Sequence, residues 1–139
     1  MIVIDSSAVI AMMLREPAAA ELAARLAVDS KRAMSIASYL EAGTVLAGRR
    51  RRGRLKAIDD LDAFLAEAGI DLEPVDVMQG RLALRARIAH GRGMGHGGTL
   101  NFGDAFSYAL AKMLGAPLLF VGNDFFATDI IPALPPAEA

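Results

Sequence analysis

The chain has 139 residues, 54% of them hydrophobic, with 15 basic and 16 acidic side chains and a formal net charge of −1. It contains no Cys, which excludes disulfide bonds, thiolate zinc sites and iron–sulfur clusters. No apolar run approaches the length of a membrane span, and no basic region precedes the first apolar run. We therefore expect a cytoplasmic protein with no membrane association, formed by one domain over residues 1–139.

Apolar runs and helical spacing predict short strands that alternate with helices. Ser6 or Ser7 is expected to cap the first helix, and Pro17 is expected in the first turn of the second helix. Alternation of this kind predicts an α/β fold with a parallel sheet covered on both faces. The predicted order is strand 1–4, helix to about 14, helix 16–28, strand 32–38, helix 38–52, helix 55–68, strand 70–77, helix 78–91, glycine-rich loop 91–100, helix 101–115, strand 116–124 and a frayed tail 132–139.

Four carboxylates occupy similar places in this scheme. Asp5 and Asp124 follow the first and last predicted strands, whereas Glu41 and Asp104 lie in the first turns of predicted helices. The carboxyl ends of parallel strands and the starts of the following helices share one edge of such a sheet, where ligands bind. An unpaired buried carboxylate is costly, so we expect the four to share a cation. Oxygen ligands without His or Cys favour Mg²⁺ or Mn²⁺.

Each of three acids also has a purely structural interpretation. Glu41 completes a capping box with Ser38, and Asp104 follows a possible Asn101 cap and complements the helix dipole. Asp124 lies in "GND", which is typical of a turn. Asp5 is the hardest to explain structurally, because Ser6 and Ser7 are available as caps.

Several segments together resemble the PIN-domain ribonucleases, specifically the VapC-type toxins of bacterial toxin–antitoxin pairs. These segments are "IDSSAVIAMM", "ASYLEAGTVL" and "LNFGDAFSYALAKMLGAPLLFVGNDFFATDI". The resemblance implies a three-layer α/β/α domain with a central, mainly parallel sheet of four to five strands. It also implies Mg²⁺- or Mn²⁺-dependent cleavage of RNA, inhibition by a cognate antitoxin protein, and a homodimer.

By position, the resemblance assigns an acidic quartet to Asp5, Glu41, Asp104 and Asp124. Asn123 stands where many relatives have a second Asp, and Asp129 in "TDI" is expected to support the site from outside it. A cation held by Asp5 and Asp104 would polarise the scissile phosphate and lower the pKa of a bound water. Glu41 and Asp124 would orient that water or hold a second ion, and Ser6 or Ser7 could donate a hydrogen bond to a carboxylate or phosphate.

A basic stretch offers a second candidate contact with RNA. "GRRRRGRLK" contains Arg49, Arg50, Arg51, Arg52 and Arg54, which could follow an RNA backbone or form a solvated helix end. Arg15 is a further candidate phosphate contact.

Two alternatives to the nuclease remain at this point. One is a catalytically inactive PIN fold that only binds partners. The other is a Mg²⁺-dependent phosphatase, which would need a second Asp where Ser7 stands.

Overall fold

The structure, a computed structural model, describes residues 1–136. Within that range the chain forms four strands and six helices. The strands are β1 (Ile2–Ile4), β2 (Arg32–Ser35), β3 (Ile70–Glu73) and β4 (Leu118–Leu119). The helices are α1 (Ser6–Met13), α2 (Ala19–Val28), α3 (Ile36–Gly48), α4 (Arg54–Glu67), α5 (Val77–His90) and α6 (Asp104–Leu114). None of the helices in the described residues is long and apolar enough to cross a membrane.

The four strands form one sheet in the order β3-β2-β1-β4. Every pairing is parallel: Ile2 lies opposite Arg32, and Ile4 lies opposite Leu119. The predicted α/β fold with a parallel sheet is therefore confirmed. Because all strands run the same way, the ends of β1, β2 and β4 meet at one edge of the sheet. We call this edge the carboxyl edge.

Side chains of β1 alternate between two separate apolar clusters, one on each face of the sheet. Ile2 and Ile4 pack with buried residues of α1, α2, α3 and α4. Val3 points the other way and packs with Tyr108 and Leu110 of α6 and with Ala86 of α5. The helices thus cover both faces, which confirms the expected three-layer α/β/α arrangement.

Two helix starts differ from the sequence prediction. Asp5, and neither Ser6 nor Ser7, caps α1, because its side chain accepts a hydrogen bond from the Ser7 amide. The helix expected from residue 38 begins at Ile36, with Ser35 as its cap. The prediction of a capping box between Ser38 and Glu41 is therefore wrong, since Ser38 is not at the helix start and Glu41 lies in the second turn.

Other boundaries differ by a few residues. Pro17 precedes α2 in a turn, because the helix begins only at Ala19. The arginine run expected within the helix follows its end at Gly48. The predicted frayed tail is wrong at its start, because the Ala133 amide donates to the Leu118 carbonyl at 2.8 Å. Residues 137–139 of that tail lie outside the described part of the chain.

Candidate active site at the carboxyl edge

Asp5 follows β1 directly, and its residue surface is only 2% exposed. One carboxylate oxygen, Oδ2, accepts hydrogen bonds from the Ser7 amide at 3.1 Å and the Ser7 hydroxyl at 2.6 Å. The other, Oδ1, accepts a hydrogen bond from the Ser107 hydroxyl of α6 at 2.5 Å. Hydrogen bonds of this kind offset the cost of burying a carboxylate. They also hold the Asp5 side chain in one orientation.

A chain of hydroxyls extends outward from Asp5. Ser107 is hydrogen-bonded to Ser38 of α3 at 2.9 Å in a buried contact, and the Ser7 hydroxyl accepts from the Val121 amide at 3.0 Å. These bonds connect α1, α3, α6 and the segment after β4 around one carboxylate. Sequence reasoning missed Ser107 and assigned Ser38 to a helix cap. The available signal was that Ser107 lies three residues after Asp104, on the same face of its helix.

Glu41 points from α3 toward the start of α6. The Ser6 hydroxyl donates a hydrogen bond to its Oε1 atom. The same carboxylate lies against Gly103, so close that a Cβ added there would clash with Oε2. Glu41 therefore occupies space that is open only because residue 103 has no side chain. Ser6 serves this carboxylate and does not cap α1.

Asp104 begins α6 and is 7% exposed. It exchanges two hydrogen bonds with Asn101: the Asn101 amide donates to Oδ2 at 3.0 Å, and the Asp104 amide donates to Asn101 Oδ1 at 2.9 Å. Burial raises the pKa of Asp104 to about 7, and the negative charges of Asp5, Asp124 and Glu41 raise it as well. Asp104 is thus both a helix-start residue and part of a group of mutually repelling acids.

Asp124 lies in the turn after β4, and its side chain is 40% exposed. Its carboxylate is 3.6 Å from the Arg92 guanidinium, and its backbone carbonyl accepts from the Thr99 hydroxyl at 2.7 Å. Asn123 beside it is exposed. Because the charge of Asp124 acts on Asp104, Asp124 lies within electrostatic range of Asp104.

Within residues 1–136, no three His, Asp or Glu side chains are arranged so that they could hold a metal ion as they stand. The oxygens of Asp5 and Glu41 are instead engaged by serine hydroxyls. The donor atoms available at this edge are all oxygens, the type that Mg²⁺ and Mn²⁺ prefer. Among the described residues, no hydrogen bond reaches Oδ1 of Asp104. The chemistry of the donors fits a hard divalent cation, provided that the side chains turn toward it.

Asp129 is held apart from the acidic quartet. Its carboxylate accepts hydrogen bonds from Lys112 at 2.8 Å and from Tyr108 at 2.5 Å, both on α6. These hydrogen bonds, that of Lys112 first, lower the pKa of Asp129. The contacts fasten the segment after β4 to α6, and any support that Asp129 lends to the site stays a prediction.

The arginines predicted to contact RNA lie away from the carboxyl edge. Arg15 follows the end of α1, whereas Asp5 caps its start. The eight residues from Glu41 to Arg49 along α3 span about 12 Å. Arg50 pairs with Asp60 of α4 at 3.1 Å. The structure therefore does not bring these arginines to the carboxylates, and the same holds for Arg51, Arg52 and Arg54, which follow in the chain up to the start of α4.

The chain thus has a parallel sheet between two layers of helices, with four acids at the carboxyl edge of the sheet. Comparison with known proteins identifies the family that has this fold. Residues 2–131 match the family model described as "PIN domain", so the chain belongs to the PIN-domain family. It is 46% identical over 132 residues to ribonuclease VapC28 of Mycobacterium tuberculosis, covering 95% of this chain and 97% of that protein.

Solved structures show the same fold at lower sequence identity. The crystal structure of Mycobacterium tuberculosis VapC20, described as a sarcin–ricin loop cleaving toxin, has a TM-score of 0.74 at 18% identity, covering 94% of this chain and 97% of that one. VapBC2 from Rickettsia felis, bound to a DNA fragment from its promoter, has a TM-score of 0.72 at 15% identity, covering 95% and 96%. Both likenesses concern the fold alone.

Proposed function

We propose that this protein is a divalent-cation-dependent ribonuclease and the toxin of a VapBC-type toxin–antitoxin pair. The observation that carries the proposal is the gathering of four carboxylates from separate parts of the chain at the carboxyl edge, where burial first, and the charges of the other three acids after it, raise the pKa of Asp104. Such a group of acids is unfavourable without a cation and is typical of functional sites. The relative with 46% identity is named a ribonuclease.

The cation is Mg²⁺ or Mn²⁺, held by Asp5 and Asp104 with Glu41 and Asp124 beside them. When bound, such a cation polarises the scissile phosphate and lowers the pKa of a water molecule. Asp104 would hold such a cation as its carboxylate, because that is the ligating form. Ser7 and Ser107 hold the Asp5 carboxylate in one orientation at the carboxyl edge.

The partner is an antitoxin protein, by analogy with the solved VapBC2 structure from Rickettsia felis. The negative carboxyl edge favours an antitoxin that presents a basic side chain or an apolar helix across it. RNA as the substrate places the protein in the cytoplasm. Assembly as a homodimer follows from the family resemblance and stays a prediction.

Cleavage of RNA in the presence of Mn²⁺ or Mg²⁺ tests the proposal directly. Asp5→Asn and Asp104→Asn should each abolish cleavage while leaving the circular dichroism spectrum unchanged. The matched control is Asp76→Asn, which alters the exposed capping residue of α5 and should retain activity. Full activity in either quartet variant, or no growth arrest when the soluble wild-type chain is expressed alone, would remove the basis of the assignment.

The basic stretch, Arg49 to Arg54, then contributes only to the binding of longer RNA. Because Arg49 lies about 12 Å along α3 from Glu41, a short RNA bound at the carboxyl edge does not reach it. Replacing Arg49 to Arg52 with Ala should flatten the salt dependence of binding for a long RNA and leave it unchanged for a short one. Equal effects on both RNAs would contradict this placement.

A further inference from the structure

One basic side chain does lie beside the acidic quartet. Nη2 of Arg92 is 3.6 Å from Oδ1 of Asp124. Within residues 1–136, no other ion pair involves a member of the quartet. Arg92 belongs to the glycine-rich loop between α5 and α6, so this loop brings a positive charge to an edge that is otherwise strongly negative.

The backbone of Arg92 is held by hydrogen bonds, whereas its side chain is exposed to solvent. Its amide donates to the Leu100 carbonyl at 2.8 Å, and the Leu100 amide donates to the His90 carbonyl at 3.0 Å, which closes the base of the loop. The Arg87 guanidinium donates to the carbonyls of Leu100 and Arg92 and clamps the same base. The Arg92 side chain itself is 66% exposed. An exposed guanidinium is therefore carried by a residue whose backbone is anchored.

The ion pair with Asp124 is one that can readily be exchanged. Its separation of 3.6 Å exceeds hydrogen-bonding distance, and both partners are solvent-accessible, a situation in which ion pairs are weak. Arg92 thus screens part of the negative charge of the quartet, but its ion pair with Asp124 is weak. A stronger anionic partner at the same edge would draw the guanidinium away.

We propose that Arg92 is a substrate-binding residue whose guanidinium exchanges Asp124 for a phosphate of the RNA backbone next to the cleaved bond. This inference rests on the proposed ribonuclease function. The acidic quartet repels a polyanion, and a positive charge at its margin offsets that repulsion. Guanidinium binds phosphate oxygens through two parallel hydrogen bonds, which a carboxylate at 3.6 Å does not provide here.

Binding of a fluorescent single-stranded RNA in chelator, measured by anisotropy over a range of salt concentrations, tests the proposal without cleavage. Arg92→Ala should weaken binding about tenfold, as expected for one charge-assisted contact. It should also reduce the slope of log affinity against log salt by about 0.7, the value for one phosphate on a single strand. Arg92→Lys should restore the slope but only part of the affinity, because Lys keeps the positive charge but cannot form the two parallel hydrogen bonds of a guanidinium.

A control variant separates phosphate binding from a structural role of the loop. Thr99→Val removes the other tether between this loop and Asp124, the hydrogen bond at 2.7 Å to its carbonyl, without changing any charge. Its salt slope should equal that of the wild type. An unchanged slope in Arg92→Ala, or an equal loss in Thr99→Val, would overturn the proposal.

Cleavage assays with Mn²⁺ distinguish failure of this inference from failure of the proposed function. Arg92→Ala should raise KM about tenfold with kcat within about threefold of wild type, since it removes a binding contact. Normal cleavage with an unchanged KM and salt slope would refute the role of Arg92 alone. An Arg92-dependent salt slope in a wild-type chain that cleaves no RNA would refute the ribonuclease function alone.

Discussion

Asp104→Asn should stabilise the cation-free protein at high pH. The pKa of Asp104 is raised from 3.8 to about 7 in the folded chain. An acid with a raised folded pKa keeps its proton longer in the folded state, so stability is lost as the pH rises from about 4 to about 7. A difference of about three pH units corresponds to about 4 kcal/mol, fully expressed above pH 7. Asn removes this penalty and still accepts a hydrogen bond from the Asn101 amide.

Thermal melts in chelator at pH 4 and pH 8 measure the effect. With about 3 °C per kcal/mol for a chain of this size, the variant should melt on the order of 10 °C higher than the wild type at pH 8. The two should nearly coincide at pH 4, where Asp104 is protonated in the folded state. Mn²⁺ at a hundredfold excess over its dissociation constant should stabilise the wild type by about 2.7 kcal/mol and the variant by much less.

The control for these melts is Asp76→Asn, which changes another aspartate at a helix start. Asp76 is exposed and accepts a hydrogen bond from the Gln79 amide at 2.8 Å. Because Asn caps helices about as well as Asp, we expect little change in melting temperature at either pH. If Asp104→Asn instead melts below the wild type at pH 8, and Mn²⁺ shifts neither protein, the carboxylates do not form a strained cation site.

Two further substitutions, each with a control variant, test how the acids are held. Ser107→Ala should cost about 1 to 3 kcal/mol of stability and reduce kcat, because Asp5 loses a hydrogen bond. Ser107→Ala and Ser38→Ala both break the hydrogen bond between Ser38 and Ser107, but Ser38→Ala keeps the bond from Ser107 to Asp5. Ser38→Ala should therefore affect kcat far less in a single-turnover assay. Gly103→Ala should lower kcat, since its Cβ would displace the Glu41 carboxylate from its position against residue 103. The control is Gly80→Ala, because a Cβ added there would have no atom within 4 Å. This variant should remain active and melt slightly higher. Equal activities of the two glycine variants would contradict the contact between Glu41 and Gly103.

The order of strands and helices followed from the sequence alone. Apolar runs such as that of β1, and helical spacing such as that of α6, are properties of neighbouring residues and appear directly in the chain. The placement of Asp5 directly after a strand was visible for the same reason. The last strand was predicted to run to Asp124, whereas β4 ends at Leu119 and Asp124 lies in the turn that follows. A parallel sheet then implies that these carboxylates share one edge.

Helix starts were predicted less well, because several polar residues competed for each cap. Asp5, Ser6 and Ser7 are adjacent, and any of them has the chemistry to begin α1. The structure gives the cap to Asp5 because the Ser6 hydroxyl is taken by Glu41 of another helix. Ser38 was likewise an acceptable cap by its spacing, but the chain turns into α3 three residues earlier.

The contacts that orient the site were decided only by the tertiary structure. Asp5 and Ser107 are 102 residues apart, and the residues of the pair between Arg92 and Asp124 also come from different segments. Hydrogen bonds and ion pairs between distant segments leave no periodic pattern in a sequence. They arise because the parallel sheet brings the starts of α1 and α6 and the turn after β4 to one edge, where burial lets only paired polar groups remain.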